Sequence, residues 1–200
     1  MKYTTHPIID HLRVTLAARQ KQRLDGTTVN GVVLKPAAVL LLLYEREGEH
    51  HMLFTKRTSQ VEDHKGQISF PGGAYHDGVD LSLQHTALRE SEEEVGLRVE
   101  HTDILGELDD LRTISDYLVA PFVGVLRQPQ AFVLAPAEVA ELVEVPLNLL
   151  LDPRTLRSDP VEYAGRLINQ PYYYYQGHVI YGATARILAQ FLSLLPLLSS

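Results

Sequence analysis

The sequence contains no cysteine, which excludes disulfide bonds, thiol catalysis and zinc sites built from cysteine. It also lacks a long hydrophobic run, because the longest one, residues 36–44, is far too short to cross a bilayer. The first twenty residues mix charges with apolar residues and lack the uninterrupted apolar core of a signal peptide. We therefore expect a cytoplasmic protein that does not bind membranes.

Positive charge is scarce as well. The chain has 18 lysines and arginines against 25 aspartates and glutamates, which gives a formal net charge of -7 at pH 7. This balance argues against broad binding to nucleic acid. The 200 residues, 45% of them hydrophobic, suffice for one domain with a sizeable core. The sequence does not determine the oligomeric state, and a homodimer is compatible with it.

The hydrophobic pattern predicts strands and helices without a regular βαβ period, which is typical of an α/β fold with a mixed sheet. Residues 7–24 are expected to form an amphipathic helix that Gly26 ends, so we divide the chain into an N-terminal helical extension, 1–30, and a main domain, 31–200. Residues 136–152 are expected to begin as a helix and to return through "VEVPL". The other predicted elements are strands at 37–44 and 51–57 joined by a turn, strands at 103–111 and 118–126, two strands around Gln176-Gly177, and helices at 81–95 and 183–195.

Residues 89–96, "RESEEEVG", concentrate negative charge on the predicted helix 81–95. At about 100° per residue, Glu90, Glu93 and Glu94 fall on one flank, with Arg89 just beyond Glu93 and Glu92 pointing elsewhere. Such a run is commonly no more than a solvated acidic face. Three converging carboxylates are nevertheless costly unless a cation lies between them, and oxygen ligands suit hard cations such as Mg²⁺, Mn²⁺ or Ca²⁺.

A Pro-Gly-Gly turn at residues 71–73 leads through a polar loop into this acidic helix, and glycines allow a ligand to approach the backbone closely. The stretch from "GGAYHD" to "RESEEEVGL" resembles the Nudix box, whose pattern is G-x5-E-x7-R-E-U-x-E-E-x-G-U with U apolar. The residues that match it in order are Gly73, Arg89, Glu90, Glu93, Glu94, Gly96 and Leu97.

The chain departs from this pattern in two places. The spacing from Gly73 to Arg89 is two residues too long, so Asp80 is the expected substitute for the first glutamate, or else it caps the helix. Ser91 occupies a usually apolar position on the inner face, where its hydroxyl would need a partner such as a backbone carbonyl of the preceding turn.

The resemblance implies a Nudix-type α/β/α sandwich and a hydrolase of diphosphates linked to another moiety, dependent on Mg²⁺ or Mn²⁺. It implies that the metal ligands are Glu90, Glu93, Glu94 and the carbonyl of Gly73, and that Arg89 orients a glutamate of the box. The general base varies in position in the family, so the resemblance allows either a glutamate of the box, such as Glu90 or Glu93, or an acid from a distant loop. Candidates near the start of the helix predicted at 136–152 are Glu138 and Glu141, either of which could instead complement the helix dipole; rivals are Glu107, Asp109 and Asp110.

Residues 53–73 also resemble the extra motif of coenzyme A pyrophosphatases, L-L-T-x-R-[S/A]-x3-R-x3-G-x3-F-P-G-G. Phe54 replaces the second leucine, Thr58 replaces serine or alanine, and Glu62 stands where the second arginine is expected. This implies a small-molecule substrate, coenzyme A or its acyl forms, whose contacts we expect at Arg57, His64, Lys65, Gly72 and Gly73. The alternatives are another nucleoside diphosphate derivative, such as an ADP-sugar or a dinucleotide, and a noncatalytic binding module.

Overall fold

The structure is a computed structural model that describes residues 7–24, 28–29, 31–58, 66–163 and 165–196. No helix within these ranges is both long and apolar enough to span a membrane. The helices are α1 (Pro7–Ala18), α2 (Leu83–Val95), α3 (Leu147–Leu150) and α4 (Gly182–Leu192), with a 3-10 turn at Val99–His101. The strands are β1 (Thr28–Val29), β2 (Val32–Val33), β3 (Lys35–Arg46), β4 (Glu49–Arg57), β5 (Ile68–Ser69), β6 (Gly72–Ala74), β7 (Thr102–Glu107), β8 (Leu111–Arg112), β9 (Tyr117–Leu126), β10 (Val139–Pro146), β11 (Leu156–Arg157), β12 (Val161–Tyr163), β13 (Arg166–Ile168), β14 (Tyr172–Tyr175) and β15 (His178–Ile180).

The main sheet is mixed, as the sequence predicts. Its strand order is β10-β4-β3-β9-β7, and β5, β6 and β8 pair with β4, β3 and β9 respectively. The pairing of β3 with β9 is parallel, whereas the other pairings are antiparallel. Strand β3 is central because its apolar run fills both faces: Leu41 and Leu43 enter one core layer, and Leu40 and Leu42 enter the other.

Helices cover both faces of this sheet. On one face, α1 contributes Leu12 and α4 contributes Leu188 and Phe191 to the same buried cluster. On the other face, α2 packs with Ala87 and Val95. The arrangement is therefore the expected α/β/α sandwich. Below, these two sides of the sheet are called the α4 face and the α2 face.

Two predicted hairpins are confirmed. The β3–β4 turn has positive φ at Glu47 (55°) and Gly48 (82°), and the β14–β15 turn has positive φ at Gln176 (46°) and Gly177 (89°). Two consecutive residues in this region give the type I′ geometry that fits the twist of paired strands.

The prediction for residues 136–152 is wrong at its start, because Val139–Pro146 is strand β10 rather than a helix. This segment pairs antiparallel with β4, and its alternating Val143 and Val145 are buried in the α4-face core. Only Leu147–Leu150 is helical. Backbone pairing with β4 and the burial of alternate side chains favour a strand here, and they outweigh the helix-like spacing of Glu138 and Glu141.

The first helix is shorter than predicted: α1 ends at Ala18, and residues 19–24 continue without helical structure. Lys21 lies 2.6 Å from Glu107 and 2.7 Å from Asp110, and the backbone N–H of Gln22 donates to Asp109. These contacts hold the segment in an extended path. Gly26, the expected end of the helix, lies outside the described residues.

Candidate active site

Helix α2 carries the acidic cluster and has well-defined ends. Ser82 is its N-cap and accepts a hydrogen bond from the backbone N–H of His85 at 3.1 Å, so the cap is not Asp80. At the other end, Gly96 is left-handed (φ 66°) and its N–H donates to the carbonyl of Glu92. Ser91 is buried and donates to the carbonyl of Ala87 at 2.7 Å, which is the partner expected from the sequence.

Asp80 is buried and lies directly against Arg89. Its two oxygens accept from Nε and Nη2 of Arg89 at 2.8 and 3.0 Å, and the backbone N–H of His76 donates to it at 2.8 Å. These contacts, above all those of Arg89, hold the pKa of Asp80 far below its ordinary value. Asp80 is therefore a carboxylate that anchors the arginine of the acidic helix.

The same guanidinium group reaches two carboxylates of the cluster. Its Nη2 lies 2.8 Å from Glu90 and its Nη1 lies 3.1 Å from Glu93. With Asp80 included, Arg89 contacts three carboxylates, and only 14% of its side chain is exposed. This geometry is what an orienting residue requires, because a planar guanidinium group with several bonds restrains each partner's direction.

The two glycines of the turn lie against the acids of α2. A Cβ atom added to Gly73 would stand 2.5 Å from the carboxyl carbon of Glu90, and one added to Gly72 would stand 2.3 Å from the carbonyl oxygen of Ala38. The N–H of Gly72 donates to Glu94 at 3.2 Å. Neither position can carry a side chain without displacing its neighbours, which explains the Gly-Gly pair.

Burial dominates the electrostatics of Glu94. Its side chain is buried, and this raises its pKa to about 8, against the opposing effects of the Gly72 hydrogen bond and the nearby Arg57. Burial also raises the pKa of Glu90. Carboxylates that are costly to ionise in this way are stabilised by a bound cation.

These donors fit a hard divalent cation, since all of them are oxygens. Glu90 and Glu94 both face the Gly72-Gly73 backbone, and Glu93, which is 58% exposed, is joined to Glu90 through Arg89. The described residues nevertheless contain no group of three histidine, aspartate or glutamate side chains already arranged around one ion position.

The loop after β9 returns along the end of α2 and brings Glu138 to the site. The N–H groups of Val133 and Ala135 donate to the carbonyls of Val95 and Glu94, and the carbonyl of Glu138 accepts from Thr58 at 2.9 Å. The negative charge of Glu138 contributes to the raised pKa of Glu94. Glu138 is thus an exposed carboxylate beside the buried one.

Glu141 lies elsewhere, although it is only three residues further along the chain. It pairs with Lys56 at 3.1 Å and with His178 at 3.3 Å. Lys56 shares the strand side of Phe54, which is in the α4-face core, so Glu141 is on the face opposite α2. The two candidates therefore do not share the start of a helix as expected, because a strand with a bulge replaces that helix and separates them.

The three rival acids are engaged by the N-terminal segment. Lys21 contacts Glu107 and Asp110, and Arg19 lies 2.5 Å from Asp109. Their carboxylates therefore already have cationic partners within the protein.

Arg57 follows Lys56 and therefore points to the α2 face. Its charge acts on Glu94, and its Nε is buried without a hydrogen-bond partner in the described part of the chain. Arg57 therefore lies on the same side of the sheet as Glu94. The other two cations expected there, His64 and Lys65, lie outside the described residues.

One residue at the site is missing from the sequence-based set. His76 donates its N–H to Asp80, and its side chain lies close enough to Glu90 to influence that acid's pKa. The only indication of His76 in the sequence was its position in the loop between Gly72-Gly73 and α2. It is exposed and lies next to the acids.

Comparison with known proteins decides the family. Residues 34–163, well over half of the chain, match the NUDIX domain. The chain belongs to the Nudix family. Two relatives carry the name "Uncharacterized Nudix hydrolase NudL": one from Photorhabdus laumondii is 40% identical over 70% of this chain and 74% of its own length, and one from Yersinia pestis (strain Pestoides F) is 39% identical over 76% and 75%.

Solved structures agree on the fold of this Nudix protein. A Nudix hydrolase from M. smegmatis, RenU, superimposes with a TM-score of 0.53 over 83% of this chain and 90% of its own, at 19% identity. That likeness concerns the fold alone. The match to the NUDIX domain and the relatives named Nudix hydrolase show that the protein is an enzyme of the Nudix hydrolase family, whose members generally use divalent metal ions.

Proposed function

We propose that this enzyme hydrolyses the diphosphate bond of coenzyme A or acyl-coenzyme A with Mg²⁺ or Mn²⁺. Water attacks one phosphorus, the P–O–P bond breaks, and the products are 4′-phosphopantetheine, or its acyl form, and adenosine 3′,5′-bisphosphate. The observation that carries the proposal is the position of Arg57. This arginine of the coenzyme A-type motif lies on the α2 face beside Glu94, and its buried Nε has no hydrogen-bond partner among the residues that the structure describes.

In this proposal Glu90, Glu93, Glu94 and the carbonyl of Gly73 hold the metal. When bound, a divalent ion supplies neutralisation of the developing phosphate charge and a lower pKa for a coordinated water. Arg89 keeps Glu90 and Glu93 in place and is itself anchored by Asp80. Because all its observed contacts are with carboxylates, Arg89 acts as a positioning residue and does not touch the substrate.

Glu138 is the general base in this mechanism and takes a proton from the attacking water. Three features support this role: it is exposed, it lies next to Glu94, and backbone hydrogen bonds to Thr58 and Ala135 fix its turn. The proposal does not give this role to Glu141, because its contact with Lys56 lies on the α4 face.

The substrate contacts in the proposal are Arg57, Gly72 and Gly73, joined by His64 and Lys65. The glycine backbone allows the diphosphate to approach closely, and Arg57 supplies positive charge where the carboxylates leave the site negative. We also propose the division into an extension, 1–30, and a catalytic domain, 31–200, and a cytoplasmic location without nucleic-acid or membrane partners.

A second candidate is hydrolysis of another nucleoside diphosphate derivative, such as an ADP-sugar or a dinucleotide. Glu62 favours it, since the chain has an acid where the coenzyme A motif has an arginine. A noncatalytic binding role is disfavoured, because a binder does not require buried acids oriented by an arginine.

The test is to incubate the protein with coenzyme A, acetyl-coenzyme A, ADP-ribose and NADH in the presence of Mg²⁺ or Mn²⁺, and to identify products by mass. Release of adenosine 3′,5′-bisphosphate at the highest kcat/KM supports the proposal. Faster cleavage of ADP-ribose or NADH would replace it with the second candidate. The variant E93Q serves as the control for a contaminating hydrolase.

A further inference from the structure

The turn that carries Glu138 is anchored to the last turn of α2. The N–H of Ala135 donates to the carbonyl of Glu94 at 2.9 Å. The carbonyl of Ala135 in turn accepts from the N–H groups of Glu138 at 3.0 Å and of Val139, the first residue of β10, at 2.9 Å. The backbone of Glu138 is therefore linked to that of the buried acid Glu94 through Ala135 alone.

Thr58 holds the same turn from the side of β4. It is the first residue after that strand, and it is buried, with 7% of its surface exposed. Its N–H donates to the carbonyl of Glu138 at 2.9 Å, and its Oγ1 donates to the carbonyl of Ala137 at 3.1 Å. The turn is thus held between the end of β4 and the end of α2, the two elements that carry Arg57 and the acids.

These contacts fix both peptide planes that flank the Cα atom of Glu138. In the plane before it, the carbonyl of Ala137 and the N–H of Glu138 are both bonded; in the plane after it, the carbonyl of Glu138 and the N–H of Val139 are both bonded. Because each peptide unit is planar, these bonds restrict φ and ψ of Glu138 and so set the direction of its Cα–Cβ bond. Three of the four bonds join backbone groups, and the hydroxyl of Thr58 supplies the fourth.

We infer that Thr58 is a positioning residue whose hydroxyl directs the carboxylate of Glu138 toward the attacking water. This inference rests on the proposed function, in which Glu138 is the general base. A general base must lie within hydrogen-bond reach of the proton that it takes, and a misplacement of about 1 Å is enough to slow a reaction greatly. Thr58 acts through Glu138 and does not touch the substrate in this role.

The kinetic test compares wild type with T58V, T58S and the control T184V. The hydroxyl of Thr184 donates to the carbonyl of Ile68 at 3.1 Å, so T184V removes a bond of the same kind and length that does not involve the turn of Glu138. The substrate is the diphosphate that wild type cleaves fastest, so the result does not depend on coenzyme A. T58V should lower kcat by about tenfold with KM little changed, whereas T58S and T184V should stay within about twofold.

T58A guards against a T58V that does not fold, since it also lacks the hydroxyl and should reproduce the loss of kcat. Both variants should keep a Mg²⁺-dependent rise in melting temperature equal to that of wild type. Loss of that rise would assign the hydroxyl to the metal site and would overturn the inference.

A double-mutant cycle tests whether Thr58 acts through Glu138. If it does, adding T58V to E138Q should lower kcat by no more than about twofold further, because the base is already gone. A tenfold loss in both backgrounds, or wild-type kcat in T58V and T58A, would refute the role of Thr58 and leave Glu138 as the base. Wild-type turnover in E138Q would refute the assignment of the base and the role of Thr58 together.

Discussion

Arg89 and Asp80 form a bidentate ion pair in which Nε and Nη2 donate to the two carboxylate oxygens at 2.8 and 3.0 Å. Asp80 is in the loop before α2 and Arg89 is in its second turn, so the pair ties the helix to the glycine turn. The remaining bonds of Arg89 then set the directions of Glu90 and Glu93. The loop between Gly73 and Arg89 is two residues longer than the Nudix pattern, but it still places a carboxylate, that of Asp80, against this arginine.

Removing the charge of Asp80 should disturb both stability and catalysis. D80N leaves Arg89 buried with a weaker partner, and breaking a buried pair costs about 3–5 kcal/mol. We expect a lower free energy of unfolding in urea and a lower kcat. D77N, at an exposed aspartate of the same loop, should resemble wild type in both measurements. An unchanged kcat in folded D80N would show that Arg89 needs no anchor.

Glu138 and Glu141 should differ sharply in their effect on turnover. E138Q removes the proposed base and should lower kcat by about 10²–10⁴-fold, the usual contribution of general base catalysis. E141Q only weakens a contact with Lys56 and His178 on the other face, so kcat should stay within about twofold. Steady-state kinetics on both proteins tests this contrast, and similar losses in the two variants would contradict the assigned faces.

Binding of Mg²⁺ to the acids of α2 should be measurable through the melting temperature without any substrate. In wild type, Mg²⁺ should raise the melting temperature, because it binds the folded protein and relieves the acids. E94Q and E93Q should lose that increase and most of kcat. E92Q, which alters the exposed acid just before them in the sequence, should keep both. A Mg²⁺-dependent rise in melting temperature that persists in E94Q would place the ion elsewhere.

Gly73 should tolerate no side chain. Its Cβ would stand 2.5 Å from the carboxyl carbon of Glu90, so G73A should displace that acid and greatly reduce kcat. The matched change is G78A, where a Cβ has open space but φ is +80°, which costs about 1–2 kcal/mol in stability. G78A should therefore unfold at lower urea and keep its turnover. Full activity of G73A would mean that Glu90 needs no fixed position.

The stability of the metal-free protein should fall with rising pH. The pKa of Glu94 is raised from 4.5 to about 8 on folding, so the folded state holds a proton that the unfolded state releases. Stability from this proton is complete below pH 4.5 and is lost as the pH rises to about 8. Urea unfolding with EDTA between pH 5 and 8 measures the slope, which E94Q should reduce. The opposite result is a free energy of unfolding that rises between pH 5 and 8 to the same extent in wild type and in E94Q. That result would contradict a raised pKa of the buried Glu94.

The sequence by itself determined the elements whose signal is local. The run at residues 37–44 indicated a buried strand, and the spacing of Arg89, Glu90, Glu93 and Glu94 on one helix followed from 3.6 residues per turn. The glycines at 72 and 73 indicated a close backbone approach, which the contacts with Ala38 and Glu90 explain. The family match agrees with the motif that these residues form.

Only the tertiary structure decided which distant residues meet. Residues 139–146 form a strand because β4 offers a partner along its whole length, and this pairing sends Glu141 to one face while Glu138 turns toward the other. Likewise, Arg19 and Lys21 lie beyond the end of α1, where they form ion pairs with the acids at 107–110. The placement of Arg57 on the α2 face beside Glu94 has the same origin. Hydrogen bonds and charges between segments far apart in sequence outweigh local propensity, and a single sequence does not reveal which segments will be neighbours.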